Sequence, residues 1–399
     1  QPGDLFVALT DVRDGHEFVA AAFAAGAAAA LVSKNYARKS GDGALIRVAD
    51  PLHVDDPLNA LRAIGIYARE RATKARIVAV TGSAGKTGTK EMLRVCLATC
   101  GKVHASEKSY NNHWGVPLTL ARMPAATEYA IFEIGMNHPG EIAPLSKMVR
   151  PHVALITTVE PVHLGHFSSV EEIADAKAEI FEGLEPGGAA ILNRDNAHFP
   201  RLADAATRHD ARIVSFGEDQ GSEARLIGRA GLRHDGSSVS ASINGLPLIY
   251  DVGAPGRHLV QNSLGALAAI AALAPDLIAQ PAHRMNLQVV AQALRAMQAP
   301  IGRGASETRA APGGTFLLID ESYNANPASM RAALAVLSRA PCRRRIAVLG
   351  DMRELGEHAD RLHVELAQAV VDANVDLVFA SGPHMQALFT ALPKHLCGK

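Results

Sequence analysis

The sequence predicts an α/β protein whose central domain is a doubly wound, mostly parallel β-sheet. Short β-branched runs alternate with helix-forming stretches along most of the 399 residues. Polar or glycine-rich segments follow several of the predicted strands. One of these segments, residues 82–87, has the composition of a phosphate-binding loop and lies between a strand and a helix. This order of elements is typical of parallel sheets, which bind ligands at the carboxyl ends of their strands.

The composition limits the class of protein. The length allows two or three domains, and 48% hydrophobic residues can form several cores. Forty basic residues balance forty acidic ones, so the sequence shows no charge signature of a nucleic-acid or anionic-membrane partner. No apolar run approaches a membrane span, and the start lacks a signal-peptide pattern. Cys96 and Cys100 are expected to be buried thiols rather than metal ligands, which fits a reducing cytoplasm.

Changes in the pattern divide the chain into three predicted domains, at 1–73, 74–298 and 299–399. The first is a small α/β domain and the last a Rossmann-like βαβ series that begins after a linker at 300–304. The chain opens abruptly next to a strand, and only three strands of the last series precede Lys399. We therefore expect the first domain to lack its N-terminal part and the last to be truncated.

The predicted elements follow in order. The first domain has strands at 5–9 and 28–32 and helices at 17–25 and 58–71. The central strands are predicted at 77–80, 130–134, 153–159, 189–192 and 213–216, with helices between them. Residues 226–252 break this rhythm with turns at Asp235-Gly236 and Asn244-Gly245, which indicates an antiparallel hairpin insert. The last domain has strands at 316–319, 346–349 and 377–379 and helices at 328–337 and 362–371.

The glycine-rich loop is the strongest functional signal. Its glycines let backbone N–H groups close around a polyphosphate at a helix N-terminus. Lys86 would reach the β- and γ-phosphates of ATP, and the Thr87 hydroxyl would bind Mg²⁺. A glycine turn with a surface lysine is the alternative, which the flanking strand and helix disfavour. The predicted loop comprises Thr81, Gly82, Ser83, Ala84, Gly85, Lys86, Thr87 and Gly88.

Other candidate ligands follow neighbouring strands. Glu133 ends its strand near the loop and suits Mg²⁺, although it could also be a solvated loop acid. His163 or His166 could ligate a second metal or contact phosphate, but loop histidines are usually structural or solvated. Lys177 lies beside an apolar helix face and would ordinarily extend to water. If it faced the site, it could bind phosphate or become a carbamylated, metal-binding anion.

Polar side chains also mark two strand ends of the last domain. Residues 320–327 lead from a strand into a helix, where Asn326 before Pro327 also suits an N-cap. Residues 350–356 have the same placement after the next strand. Two adjacent polar strand ends predict a face that closes over the nucleotide of the central domain. The Asn111-Asn112 pair could be a further site or only an Asn-rich turn.

Together these segments resemble the Mur ligase family. The similarity runs from Gly3 to about Gly382 and is carried by residues 81–91, 111–120, 133–141, 320–329 and 350–356. It is strongest to the member that adds D-alanyl-D-alanine to UDP-N-acetylmuramoyl-tripeptide. The resemblance implies a three-domain, cytoplasmic, ATP-dependent amide ligase that forms an acyl phosphate in the last cytoplasmic step of peptidoglycan-precursor synthesis. It also implies two Mg²⁺ ions, and a monomer without a nucleic-acid partner is expected.

The resemblance also implies roles for individual residues. Thr87 and Glu133 would hold the first Mg²⁺, and His163 with a carbamylated Lys177 the second. Asn262 would contact adenine, while Arg303 and Asp320 would reach ATP from the last domain. The nucleotide and D-alanyl-D-alanine sites would be shaped by Tyr323, Asn324, Asn326, Asp351 and Glu354. The path of the muramoyl peptide would be lined by Asn111, Asn112, Asn137 and His138.

The sequence also departs from the family pattern. The Asp-Ser-Arg-like uridine-binding segment and the C-terminal Lys-Gly-Ser-like turn are absent from these 399 residues, so this chain is expected to bind UDP poorly. Gly88 stands where Thr or Ser is common.

Two other functions compete with this one. A sister ligase such as a folylpolyglutamate synthase is disfavoured by the Asn324-Ala325-Asn326-Pro327 segment. A nucleotide-sensing protein with a degenerate site is disfavoured by the intact candidate ligands, among them Lys86 and Glu133. Whether the tripeptide ends in meso-diaminopimelate or lysine stays open.

Overall fold

The computed structural model describes residues 2–48, 56–162, 164–228, 230–233, 235–275, 278, 283 and 286–398. Its elements group around a small N-terminal sheet, a large central sheet and two separate strand pairs near the C-terminus. We refer to these groups as the N-terminal, central and C-terminal units.

The N-terminal unit is a small parallel sheet with a helix packed on it. Its strands run in the order β1-β2-β3, and its core contains Val19, Ala30 and Val32. The second helix leaves this core and packs on the central unit, where Arg69 donates to the Val149 carbonyl over 2.9 Å. The elements are β1 (Leu5–Val7), β2 (Ala29–Val32), β3 (Leu45–Arg47), α1 (Val19–Ala24) and α2 (Pro57–Arg71).

The central unit contains a sheet in the order β11-β12-β10-β9-β8-β7-β4-β6-β5, with β13 paired to β12. The pairs from β5 through β10 are parallel. The strands are β4 (Arg76–Thr81), β5 (Val103–Ala105), β6 (Tyr129–Glu133), β7 (Val153–Ile156), β8 (Ala189–Asn193), β9 (Arg212–Gly217), β10 (Ala224–Leu226), β11 (Gly231–Leu232), β12 (Ser237–Ile243) and β13 (Leu246–Val252). This mostly parallel sheet confirms the predicted fold class.

Helices cover both faces of the sheet. Along β4, Ile77 belongs to one hydrophobic core and Val78 to the other, because successive strand residues face opposite sides. The core around Val78 contains Leu93 of α3 and Leu264 of α8. The core on the opposite face contains side chains of α4, α5, α6 and α7. The helices are α3 (Lys86–Ala98), α4 (Gly115–Ala121), α5 (Ile142–Val149), α6 (Val170–Ala178), α7 (Phe199–Arg208), α8 (Arg257–Leu273) and α9 (Leu287–Ala291).

Two local predictions for this unit are confirmed. Strands β12 and β13 form the expected antiparallel hairpin, with positive φ at both turn residues, Asn244 (50°) and Gly245 (82°). Cys96 and Cys100 are buried in the core, and burial raises the pKa of the Cys96 thiol.

The C-terminal unit differs from the prediction. Residues 316–319 were expected to begin a parallel series, but their strand pairs antiparallel with residues 305–311. The strand of residues 305–311 was not predicted, because it is exposed and polar. It carries Glu307 and Arg309 and shows no apolar pattern. The predicted helix at 362–371 is divided in two. The elements are β14 (Ala305–Ala311), β15 (Gly314–Asp320), α10 (Pro327–Arg339), β16 (Ile346–Gly350), α11 (Ala359–Val364), α12 (Leu366–Asp372), β17 (Leu377–Ser381) and α13 (Met385–Ala391).

Strands β16 and β17 are parallel, and α10 to α13 surround a core of their own. In the part of the chain that the structure describes, no helix combines the length and apolar character needed to cross a lipid bilayer.

Candidate active site

The glycine-rich loop connects the carboxyl end of β4 to the first residue of α3. Gly85 has a φ of 82°, and a Cβ added there would lie 2.6 Å from Nδ2 of Asn262. Glycine is therefore required both by the left-handed backbone and by the approach of the Asn262 side chain. The loop consequently places the N-terminus of α3, with its unpaired N–H groups, at the carboxyl edge of the sheet.

Hydrogen bonds to the end of β7 hold the loop in place. The Ser83 N–H donates to the Thr158 carbonyl (2.9 Å), and the Thr157 hydroxyl donates to the Ala84 carbonyl (2.5 Å). The Glu160 N–H donates to the Ser83 hydroxyl (2.9 Å). The two neighbouring strand ends therefore form one rigid edge.

Lys86 lies at the centre of this edge. Its Nζ donates to the Gly82 carbonyl over 2.7 Å. Burial lowers the pKa of Lys86, with the Glu133 carboxylate opposing this effect and the Arg303 guanidinium adding to it. A lysine held by a loop carbonyl in this position is suited to neutralise phosphate charge.

Thr87, Glu133 and Asn111 form a compact polar cluster. The Thr87 hydroxyl donates to Oε2 of Glu133 (3.0 Å), and Asn111 Nδ2 donates to Oε1 (2.8 Å). The Glu133 side chain is only 2% exposed. Hydroxyl and carboxylate oxygens are the hard ligands that Mg²⁺ prefers, so the pair predicted from sequence as its first site lies together.

Lys177 of α6 is also buried, at 2% exposure, and does not extend to water. Burial lowers its pKa well below the ordinary value, and the nearby Lys86 charge adds to this effect. No carboxylate among the described residues offsets that shift. The predicted second metal site also involves His163, which lies outside the described residues. His166 is exposed, and its ring centroid is 4.5 Å from that of His138.

A cavity of about 380 Å³ separates the glycine-rich loop from the C-terminal unit. Its volume falls within the range of small-molecule sites. Many of the sequence-predicted residues line it, namely Ser83, Ala84, Gly85, Lys86, Gly88, Asn111, Glu133, Asn137, Asn262, Arg303, Tyr323, Asn324 and Asn326. The tertiary structure thus brings together residues separated by more than 200 positions.

The C-terminal unit contributes a cation to this cavity. The Arg303 guanidinium lies 4.3 Å from the ring centroid of Tyr323, a cation–π contact. The Tyr323 N–H also donates to the Gly302 carbonyl over 3.0 Å. These contacts hold Arg303 in the lining of the cavity, near enough to Lys86 for its charge to lower the pKa of that lysine.

Other predicted residues do not line the cavity and have local structural contacts. The Asp320 carboxylate accepts the N–H groups of Ser322 (3.0 Å) and Gly302 (3.1 Å). Asp351 accepts the Met385 N–H (2.9 Å) at the start of α13. Comparable local contacts are made by Asn112 with Gly115, by His138 with Glu141, and by the Glu354 carbonyl with Gly165. Thr81, Gly82 and Thr87 lie in or beside the loop without lining the cavity.

Sequence reasoning missed three titratable residues that line the cavity, namely Glu160, His258 and Glu321. Burial raises the pKa of Glu321 to about 7, with Arg303 opposing this shift and Asp320 adding to it. Burial lowers the pKa of His258 to about 4. One available signal was the spacing of His258, one helical turn before Asn262. The pKa shifts themselves depend on burial that the sequence does not reveal.

Comparison with known proteins gives a consistent picture. The family model described as Mur ligase middle domain matches residues 80–270, and that described as Mur ligase, glutamate ligase domain matches residues 307–396. The first match contains the glycine-rich loop, Glu133 and Lys177. The second contains the segment from Asp320 to Asn326.

Curated relatives and a solved structure match nearly the whole chain. The chain is 34% identical to UDP-N-acetylmuramoyl-tripeptide--D-alanyl-D-alanine ligase of Rickettsia prowazekii, over 100% of this chain and 84% of the relative. It is also 34% identical to the Escherichia coli enzyme of the same name, over 98% of this chain and 81% of that relative. A crystal structure of MurF from Acinetobacter baumannii superposes with a TM-score of 0.85 at 31% identity, covering 100% of this chain and 81% of that one.

Proposed function

Because this chain belongs to the Mur ligase family, we propose that it is an ATP-dependent ligase that joins D-alanyl-D-alanine to UDP-N-acetylmuramoyl-tripeptide. The observation that carries the proposal is the cavity between the glycine-rich loop and residues 321–326 of the C-terminal unit. The same cavity is lined by the glycine-rich loop and by part of the 320–329 segment, which is one of the segments that carry the sequence resemblance to the family. The proposal assigns the reaction to the cytoplasm, with a monomer as the acting species.

The proposed reaction has two chemical steps. The terminal carboxylate of the tripeptide attacks the γ-phosphorus of ATP, the bond to ADP breaks, and an acyl phosphate forms. The amine of D-alanyl-D-alanine then attacks the acyl carbon, loses a proton, and displaces inorganic phosphate through a tetrahedral intermediate. Catalysis of this kind depends on positioning and charge neutralisation, which Lys86 and Arg303 are suited to supply because both line the cavity.

Thr87 and Glu133 would hold the first Mg²⁺, because their oxygens already lie 3.0 Å apart and Asn111 orients the carboxylate. Mg²⁺ bound there would supply further neutralisation of phosphate charge. Asn262, in contact with Gly85, is suited to bind the adenine of the nucleotide. Asn111 and Asn137 would border the path of the muramoyl peptide. The path of the dipeptide would be bordered by Tyr323, Asn324 and Asn326.

Lys177 has a separate place in the proposal. A buried amine of lowered pKa is uncharged for a larger share of the time and can attack CO₂. A nitrogen–carbon bond forms and one proton is lost, which leaves a carbamate anion in place of the amine. Such an anion would remove the unfavourable proximity of two lysine cations. It would also supply oxygen ligands for a second Mg²⁺ together with His163.

The test is phosphate release from ATP by the purified protein with Mg²⁺, UDP-N-acetylmuramoyl-tripeptide and D-alanyl-D-alanine, omitting each component in turn. We expect release to require all four and to fall at least 100-fold in Lys86→Ala. Arg94→Ala is a suitable control, because Arg94 lies on the same helix but forms only a half-exposed pair with Glu91.

Release that is indifferent to D-alanyl-D-alanine would contradict the proposal and indicate another amine acceptor. ATP binding without any release would indicate a nucleotide-binding protein without ligase activity. Comparing substrates that end in meso-diaminopimelate or lysine would then identify the preferred tripeptide.

A further inference from the structure

Glu179 follows Lys177 by two residues and has no place in the mechanism described above. It begins a short 3₁₀ helix, Glu179–Gly183, directly after α6. Its carboxylate accepts three backbone N–H groups from one distant segment. Oε1 accepts from Gly140 (2.6 Å), and Oε2 accepts from Ile142 (3.1 Å) and Ala143 (3.1 Å).

These N–H groups form the start of α5, which has no side-chain cap of its own. The residue at its N-cap position is Glu141, whose side chain makes no capping bond. The Glu141 carboxylate instead accepts the Asn137 N–H (2.7 Å) and contacts His138 (3.2 Å). A helix is normally capped by a residue adjacent in sequence. Here the cap comes from Glu179, beyond β7 and α6 in the chain, so the position of α5 depends on another element.

The segment that Glu179 holds leads directly into the cavity. Residues 134–141 connect the end of β6, where Glu133 lies, to α5. Met136 and Asn137 of this loop line the cavity. Glu141 orders the loop from within, and Glu179 fixes its far end to the helix that carries Lys177. The Glu179 carboxylate is therefore one of the contacts that set the spacing between the Asn137 loop and α6, and it is the one that reaches the backbone at the start of α5.

We propose that Glu179 is a positioning residue that holds residues 136–143 in place for binding of the UDP-N-acetylmuramoyl-tripeptide. This inference rests on the proposed function, in which Asn137 borders the path of that substrate. Both carboxylate oxygens are needed, because together they accept three bonds. A glutamine of the same shape has one oxygen acceptor, and its NH₂ group would face N–H donors.

The test compares Glu179→Gln with Glu182→Gln. Glu182 lies in the same 3₁₀ helix and pairs with Lys147 of α5 over 2.7 Å, so it links the same two elements through side chains alone. We expect Glu179→Gln to raise the KM for UDP-N-acetylmuramoyl-tripeptide about tenfold, with the KM for ATP changed less than twofold. Glu182→Gln should leave both constants unchanged.

Amide hydrogen exchange provides a readout that does not depend on turnover. In Glu179→Gln, the amides of Gly140, Ile142 and Ala143 should exchange at least tenfold faster, while those of α3 keep their rates. Unchanged exchange would overturn the inference. An equal rise in both KM values, or a lower kcat with unchanged KM, would also overturn it, because neither outcome is specific to the peptide loop.

Failure of the inference is distinguishable from failure of the proposed function. Wild-type protein without dipeptide-dependent phosphate release would contradict the proposed function, and the substrate role of Glu179 would fall with it. Wild-type activity with unaltered Glu179→Gln constants would contradict only the inference. If Glu179→Gln fails to fold, Glu179→Asp keeps the charge, shortens the reach by one methylene and is expected to raise the same KM.

Discussion

At the scale of single residues, burial is the main influence on the charges around the cavity. It favours the neutral forms of Lys86, Lys177 and His258 and the protonated form of Glu321. Groups of this kind are common in active sites, where a bound charged ligand can reverse the balance. The free cavity is therefore expected to carry less charge than its side chains suggest.

His258 gives a prediction about pH and stability. Its pKa is about 4 in the folded protein and about 6.5 in an unfolded chain. Between these pH values the unfolded state binds more protons than the folded state. The stability that the neutral His258 contributes to the folded state is therefore fully present above pH 6.5 and is lost as the pH falls toward 4. Lowering the pH from 7 to 5 should reduce the unfolding free energy of both proteins. The reduction should be about 1 to 2 kcal/mol smaller in His258→Gln than in wild type, a range that allows for water in the cavity. Urea unfolding at both pH values measures this difference.

The matched control is His209→Gln, since His209 is an exposed histidine of the same unit. This variant should follow the wild-type pH dependence. The same dependence in His258→Gln would show that burial of this imidazole does not contribute to acid destabilisation.

At the scale of elements, α10 illustrates how a local signal can have two meanings. Asn326 accepts the Ser329 N–H (2.9 Å), and the Ser329 hydroxyl accepts the Asn326 N–H (3.0 Å), which forms a capping box. The sequence offered both an N-cap and a functional site at this position. Asn326 caps the helix and also lines the cavity, so the two readings are compatible.

Substitution can separate the two roles of Asn326. Asn326→Ala removes the cap and should lower the unfolding free energy by about 1 kcal/mol. Asn326→Ser retains a capping hydroxyl on a shorter side chain, so stability should stay within about 0.5 kcal/mol of wild type. Thermal unfolding measures both effects, and phosphate release measures function. Loss of activity in the serine variant would support contact with substrate, whereas wild-type activity would argue for a capping role alone.

At the scale of the whole molecule, the cavity exists only because the central and C-terminal units meet. One contact between them joins the loop after β7 to the loop after β16. The Gly165 N–H donates to the Glu354 carbonyl (3.1 Å), and Leu164 packs against both hydrophobic cores. Gly356 has a φ of 57°, and a Cβ there would lie 3.1 Å from the Gly165 Cα.

Gly356→Ala tests whether this contact sets the arrangement of the two units. The added methyl group must displace one loop by a few tenths of an ångström, and small misplacements of reacting groups slow catalysis strongly. We expect kcat/KM to fall about tenfold in the phosphate-release assay. Gly313→Ala is the control, because its φ is also positive (87°) but its Cβ would meet nothing within 4 Å. Equal losses in both variants would assign the effect to backbone strain.

The sequence by itself determined the fold class and the position of the glycine-rich loop at the carboxyl edge of the sheet. Strand periodicity, the glycine spacing and the turn at Asn244-Gly245 are local signals, because they depend on backbone conformations of adjacent residues. It also marked the polar strand ends, since parallel strands end at a common edge. Predictions for β4, α3 and Glu133 therefore needed no knowledge of tertiary contacts, whereas Asn262 was predicted only from the resemblance to the Mur ligase family.

Only the tertiary structure decided which polar residues face the cavity and which stabilise loops. Asp320 and Asp351 resemble Asn324 in sequence context, yet they accept backbone N–H groups away from the cavity. The exposed strand of residues 305–311 left no apolar pattern to recognise. Glu321 and His258 acquire shifted pKa values only on burial, and Glu179 finds its N–H partners more than 35 residues away. Each depends on contacts between distant segments, which local sequence patterns do not encode.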